Sequence, residues 1–391
     1  MPRIVVIAGE ASGDRLGASF IRSVLQVRPD VTFEGIAGPQ MRAAGCRPWY
    51  DAQDLAVMGL FEVLAHLPRL LRIKRDVQRR LRENPPAALL GIDAPDFNLR
   101  VERVARRAGI PTIHYVCPSV WAWRESRVKT IRKACDRVLC LLPFEADFLA
   151  RHRIDGRFVG HPLADAIGDE VDVAAVRSSL GIKSGPVVAI LPGSRMGEVT
   201  RIGPDFARAA AEIIRRHPEV AFAVPAATLG LRQLIESQFA ELAPSCKPLI
   251  VDGRAHDVLA ACDVALLASG TVTLEAMLLK RPMVVAYKVA PLTYYAARWL
   301  RLIKVKYMSL PNLLADAPLV PELLQDEASP ARLAAEVTAW LESPEKCEQV
   351  VAQFGALHDQ IRRSAGERSA AAVLELAGLD VAPRSDSPRD D

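Results

Sequence analysis

Six short stretches of the sequence combine small residues with carboxylates, hydroxyls or cations in a spacing that suits the binding and transfer of a polar group. In Gly9-Glu10-Ala11-Ser12-Gly13-Asp14 the glycines let a backbone turn tightly and approach a ligand. Glu10 and Asp14 would repel a phosphate, so Glu10, Ser12 and Asp14 suit sugar hydroxyls or an acceptor; a plain turn with Asp14 as a helix cap has the same spacing. Asp93, in Gly91-Ile92-Asp93-Ala94-Pro95-Asp96-Phe97-Asn98, follows an apolar run, where a carboxylate can act as a general base if it reaches a hydroxyl proton and its pKa suits the task. Pro95 favours an extended Ala94, and the capping alternative fits Asp96 better than Asp93. His114-Tyr115-Val116-Cys117-Pro118-Ser119-Val120-Trp121-Ala122-Trp123-Arg124 sets two aromatic faces beside a cation. Trp121, Trp123 and Arg124 suit a sugar phosphate and an apolar group, against a plainer reading as core packing and a solvated basic helix. His114 reads as a core histidine.

The remaining three stretches favour a diphosphate. Leu191-Pro192-Gly193-Ser194-Arg195 offers backbone and hydroxyl donors at Gly193 and Ser194 and a planar fork at Arg195. In Ser269-Gly270-Thr271-Val272-Thr273-Leu274-Glu275 the small residues admit the same group, and the Glu275 carboxylate is placed to hold two ribose hydroxyls. Asn312, in Met308-Ser309-Leu310-Pro311-Asn312, is on its own spacing a buried turn residue.

The elements that must position these residues alternate. Short β-branched runs (Ile4–Ala8, Thr32–Ile36, Ala87–Ile92, Thr112–Val116, Arg137–Leu142) end in Gly or Pro and are separated by helical periodicity, the pattern of parallel βαβ units. The pattern restarts at Pro186–Ile190 and continues through Ala221–Val224, Leu249–Val251 and Val264–Ala268. Two doubly wound α/β halves facing a cleft are the simplest account. The boundaries expected are 1–160, 161–346, a helical segment 347–380 packed back on the first half or exchanged in a dimer, and a disordered tail 381–391.

Composition narrows the function classes. With 391 residues, 50 Lys plus Arg against 46 Asp plus Glu and a net charge of +4, the chain is a globular protein without the strong basic excess of a dedicated nucleic-acid binder. Seven scattered cysteines, none spaced CxxC, imply reduced cytosolic thiols and no structural zinc. The first apolar run is too short for a secretory signal, and no run approaches the roughly 20 residues of a spanning helix.

Taken in order, GEASGD, AVMGLFEVL, GIDAPDFN, HYVCPSVWAWR, LPFE, GHPLAD, LPGSR, LLASGTVTLE and SLPNLLA make the sequence resemble the lipid-A-disaccharide synthase family, family-19 glycosyltransferases of the GT-B architecture, over about residues 3–380. Cys117 stands where Ser is familiar, and Pro162-Leu163 replace Thr-Met. The resemblance implies two Rossmann-like domains and inverting transfer of 2,3-diacylglucosamine from its UDP derivative. The acceptor is the 6-hydroxyl of 2,3-diacylglucosamine 1-phosphate, and the products are a β(1→6) disaccharide and UDP. It implies Asp93 as base, Arg195 as leaving-group clamp, Glu275 as ribose ligand and Asn312 as a nucleotide-site residue, with Gly193, Ser194, Ser269, Gly270 and Thr271 along the diphosphate. No DxD-like pair faces a diphosphate, so neither metal nor other cofactor is expected. The rival readings are another UDP-sugar enzyme of this architecture (a UDP-GlcNAc transferase or 2-epimerase) and a non-catalytic nucleotide-sugar-binding scaffold.

Both substrates that the resemblance implies carry acyl chains, which gives the uneven charge a meaning. The apolar block Ala56–Leu64, with Met58, Leu60 and Phe61, is followed by Arg69, Arg72, Lys74, Arg75, Arg79, Arg80 and Arg82 against Asp76 alone. This suits peripheral docking on the anionic cytoplasmic face of the inner membrane. An amphipathic helix packed on a sheet gives the same pattern.

Overall fold

The computed structural model describes residues 1–55, 60–122, 125–183, 185–289 and 305–379, residues 60–66 as backbone only. The chain divides into two compact units, one formed by residues 1–165 with 361–391 and the other by 166–360. The crossing therefore falls after Asp165 rather than at 160. The expected separate segment 347–380 is split: the helix Pro344–Ile361 lies almost wholly in the second unit and the helix Ala365–Leu376 in the first.

In the first unit, seven parallel strands run in the order β3-β2-β1-β4-β5-β6-β7. They are β1 (Arg3–Ala8), β2 (Thr32–Ala37), β3 (Cys46–Asp51), β4 (Ala88–Ile92), β5 (Thr112–Tyr115), β6 (Arg137–Cys140) and β7 (Asp155–Phe158). Burial on both faces explains why the central strands read as unbroken apolar runs. One face packs Ile4, Val6 and Leu90 against Phe20, Ile21 and Val24 of the Ala11–Val27 helix, with Val373 and Leu374 of the last helix in the same core. The other face packs Val5, Ile7 and Leu89 against Ile73, Val77 and Leu81 of the Leu60–Glu83 helix. The last helix is tied down by Asp165, whose carboxylate accepts from the amides of Arg363, Ser364 and Ala365 at 3.0, 3.0 and 2.6 Å. Arg137 adds a bond to the Ala372 carbonyl and an ion pair to Glu375.

The second unit has six parallel strands in the order β10-β9-β8-β11-β12-β13. These are β8 (Val187–Leu191), β9 (Ala221–Ala226), β10 (Leu249–Asp252), β11 (Val264–Ala268), β12 (Met283–Tyr287) and β13 (Glu322–Leu324). In both sheets the winding direction reverses once, between β1 and β4 and between β8 and β11. Loops leaving the carboxyl ends of such a strand pair diverge, and the crevice they leave is where open α/β sheets take ligands.

Candidate active site

The first reversal brings two of the chemical stretches together. Ala8 is in register with Ile92, so Gly9-Glu10, which lead into the Ala11–Val27 helix, and the Asp93 turn leave the sheet side by side. Their approach is close: a Cβ on Gly9 would lie 2.9 Å from Ala94 Cβ, which is why glycine stands there. Asp93 and Ala94 both have positive φ, 50° and 43°, a conformation costing roughly 1–2 kcal/mol per non-glycine residue. Three sets of bonds hold it. The Asp93 amide donates to Tyr115 O at 2.9 Å, Asn98 Nδ2 donates to Asp93 O at 2.8 Å, and Phe97 and Asn98 amides both donate to Ala94 O. The half-buried Asp93 carboxylate is engaged by no hydrogen bond or ion pair among the described residues. Asn98 is fully buried, and this supporting role lay unread inside GIDAPDFN.

Around this turn the candidates separate. Glu10, just before the Ala11–Val27 helix, and Ser12, in its first turn, are exposed. Asp14 is not a ligand group: it is 3 % exposed and its oxygens accept from the amides of Gly38, Gln40 and Met41 at 2.9, 2.9 and 3.0 Å. It caps a helix, as the plainer reading allowed, but the helix is Pro39–Ala43 and not its own. Asp96 caps nothing and pairs with Arg127 at 2.5 Å. Trp121 also serves the fold, its ring edge-on to Phe144 at 4.8 Å and its Nε1 donating to Glu145 at 3.2 Å. Trp123 and Arg124 lie outside the described residues. His114 is a core histidine, fully buried with Nδ1 2.8 Å from Glu102 Oε1.

The second reversal builds a cavity of about 670 Å³, ample for a nucleotide-sized ligand. Gly193, Ser194, Arg195, Ser269, Gly270, Thr271 and Glu275 all line it. Its floor is the carboxyl end of β8 and β11, and the 21-residue helix Met196–Arg216 starts at its wall, bringing the positive end of a long dipole. Gly193 has φ of 120°, and a Cβ there would meet Glu198 Oε2 at 2.6 Å. Glu198 folds back from the first helical turn to accept from the amides of Ser194 and Arg195 at 3.2 and 3.4 Å. The Arg195 side chain is 71 % exposed and among the described residues is held only by a 3.5 Å contact to Glu198, so it is available to an anion.

Asn312 matches the plainer reading of its spacing, a buried turn residue. It is 1 % exposed and does not line the cavity; its amide bonds Val320 and Glu322 instead. Glu322, at the start of β13, is the residue sequence reasoning missed. Its carboxylate accepts from Met308 N, Ser309 N, Ser309 Oγ and Asn312 Nδ2 at 2.8, 2.9, 2.6 and 2.8 Å. The turn so fixed supports the cavity from behind, since Ser269 Oγ donates to Met308 O at 3.3 Å and Leu310 N to Thr273 Oγ1 at 3.4 Å. Arg254, Tyr287 and Ala255 also line the cavity without having been expected. Among the described residues no three His, Cys, Asp or Glu side chains group as metal ligands.

Met58 lies outside the described residues, and of Leu60 and Phe61 only the helical backbone is described. On the same helix Ile73, Val77 and Leu81 face the core while Arg72, Arg75 and Arg79 are exposed. Hydrogen bonds from Arg79, then Arg80 and Tyr50, hold the Asp76 carboxyl down at about 2. Arg72 and Arg75 have no such partner among the described residues. No described helix is long and apolar enough to cross a membrane.

A family model described as lipid-A-disaccharide synthetase matches residues 4–375. A lipid-A-disaccharide synthase of Xanthomonas campestris pv. campestris (strain 8004) is 50% identical over 377 residues, covering 96% of this chain and 86% of the relative. The synthase of Azotobacter vinelandii is also 50% identical, covering 96% and 98%. Among solved structures, a UDP-GlcNAc 2-epimerase from Neisseria meningitidis bound to UDP-GlcNAc superimposes with a TM-score of 0.61 at 13% identity, over 96% of this chain and 100% of that one. That likeness speaks for the shared two-domain α/β fold, and the sequence matches decide between the readings. The chain belongs to the lipid-A-disaccharide synthetase family, hexosyl-transferring enzymes of lipid A biosynthesis.

Proposed function

We propose that the chain transfers 2,3-diacylglucosamine from its UDP derivative to the 6-hydroxyl of 2,3-diacylglucosamine 1-phosphate. The observation that carries this reading is the convergence of LPGSR and SGTVTLE on one cavity at the β8–β11 reversal, a site suited to a nucleoside diphosphate. The acceptor O6 attacks the donor C1, the bond from C1 to the β-phosphate oxygen breaks, and the α-linkage becomes β. Asp93 takes the O6 proton, for which a half-buried carboxylate with no competing partner among the described residues is suited. Arg195 and the amino end of the Met196–Arg216 helix balance the charge that develops on UDP. Glu275 accepts from the ribose hydroxyls, and Glu10 and Ser12 contact the acceptor. Neither a metal nor another cofactor is part of this mechanism.

The enzyme meets its acylated substrates at an anionic membrane surface on the cytoplasmic side, by way of the Leu60–Glu83 helix. The mixed groove lined by Leu67, Pro68, Leu71, Arg72 and Arg75 fits such a surface. A homodimer with exchanged C-terminal elements is the assembly the family suggests. The test of the reaction is mass spectrometry of products from UDP-diacylglucosamine and the acceptor monophosphate. A disaccharide 1-phosphate with release of UDP is expected; a product from UDP-GlcNAc alone, without acyl chains, would overturn the assignment.

A further inference from the structure

We propose that His256 is a positioning residue for nucleotide recognition: it holds the Glu275 carboxylate in the orientation that receives the ribose. This rests on the ribose-binding reading of Glu275. Gly253 and Arg254 take positive φ, 63° and 53°, and turn the chain from β10 into the helix Ala255–Ala261 at the cavity rim. Arg254 is pinned there by Asp257 Oδ2 at 2.7 Å and Ser179 Oγ at 2.8 Å. Two residues further on, in the first turn of that helix, His256 places its Nδ1 2.8 Å from Glu275 Oε1. Against a carboxylate, Nδ1 is the donor.

No other hydrogen bond or ion pair among the described residues engages the Glu275 side chain, although it is 23 % exposed and lines the cavity. A glutamate in that setting samples several rotamers, and ordering it when a ligand arrives costs side-chain entropy. The imidazole removes that cost in advance. It occupies one of the carboxylate's roughly four acceptor sites, leaving Oε2 and part of Oε1 for two hydroxyls. His256 is 50 % exposed, so its bond to Glu275 contributes little to folding, which leaves nucleotide recognition as the place where its effect is read.

The experiment titrates UDP and 2′,3′-dideoxy-UDP calorimetrically into wild type, His256→Ala, His256→Asn and Glu275→Ala. Wild type prefers UDP. In His256→Ala the affinity for UDP falls about three- to ten-fold, the order of one hydrogen bond, while the dideoxy nucleotide binds as before. Asn, whose amide overlies the Nδ1 position, restores most of the loss. An equal loss for both nucleotides, or no loss, overturns the proposal in favour of a surface pair. If Glu275→Ala itself shows no ribose-selective loss, the ribose reading of Glu275 fails and takes the proposal with it. Half-exposure of His256 makes misfolding of the alanine variant a minor risk, and unchanged dideoxy-UDP binding reports a folded site directly.

Discussion

The indole Nε1 of Trp121 donates to Glu145 Oε1 at 3.2 Å, and Glu145 Oε2 accepts from the amides of Leu141 and Leu142 at 3.1 Å each. These bonds favour the carboxylate, yet burial to 4 % exposure outweighs them and raises the carboxyl from 4.5 to about 7. His161 is the opposite case: burial lowers it from 6.5 to about 4, and its Nδ1 accepts from Leu163 N at 3.2 Å.

The two groups act with opposite sign on stability. Between pH 4.5 and 7 folded Glu145 keeps a proton that the unfolded chain has lost, so its contribution is full below 4.5 and is lost as pH rises to 7. Folded His161 lacks a proton that the unfolded chain binds, so its contribution is full above 6.5 and is lost as pH falls to 4. The stability of Glu145→Gln relative to wild type should therefore improve by about 3 kcal/mol from pH 4.5 to 7. Urea unfolding across that range measures it; a constant difference would refute the raised carboxyl.

Asp93→Ala should lower turnover by about 10²–10⁴-fold with UDP affinity unchanged, because the proposed base and the cavity proposed for UDP belong to different compact units. Steady-state rates and UDP titration decide it. Near-normal turnover would move the role to Glu10.

Asp14→Ala should act on the fold alone. Three amides lose their acceptor, a cost on the order of 2–3 kcal/mol seen as a lower Tm. UDP affinity should not change, and a variant of normal stability with impaired acceptor KM would restore Asp14 to the acceptor site.

Arg195→Ala should weaken donor binding and slow turnover together, since in the proposed mechanism the guanidinium serves both the ground-state diphosphate and the departing UDP. Arg195→Lys should recover only part of each, lacking the planar fork. Unchanged kcat and donor KM would remove Arg195 from the mechanism.

Reversing Arg72, Arg75 and Arg79 to Glu should abolish most co-sedimentation with anionic vesicles at low salt. Each cation near such a surface contributes about 1 kcal/mol. High salt should weaken wild-type binding in the same direction. A variant that sediments like wild type would make this face of the Leu60–Glu83 helix a solvated surface only.

Sequence alone carried the architecture and most of the chemically equipped residues that line the β8–β11 cavity. Apolar runs such as Ile4–Ala8 and Val264–Ala268, short, unbroken and flanked by polar or small residues, read as buried strands because burial on both faces is written into each residue. The edge strand Cys46–Asp51, with Pro48 and polar neighbours, was invisible for the converse reason. LPGSR and SGTVTLE could be assigned to one ligand because strand-end loops of a doubly wound sheet converge by topology. The partners of polar side chains were decided only by tertiary structure. Asp14 finds its amides 24 to 27 residues away, Trp121 finds Glu145 24 residues on, and Glu322 gathers the Ser309 turn from a neighbouring strand. A carboxylate or an indole carries no mark of whether its partner will be a ligand or a backbone amide. That is settled by which groups the packed chain leaves without water.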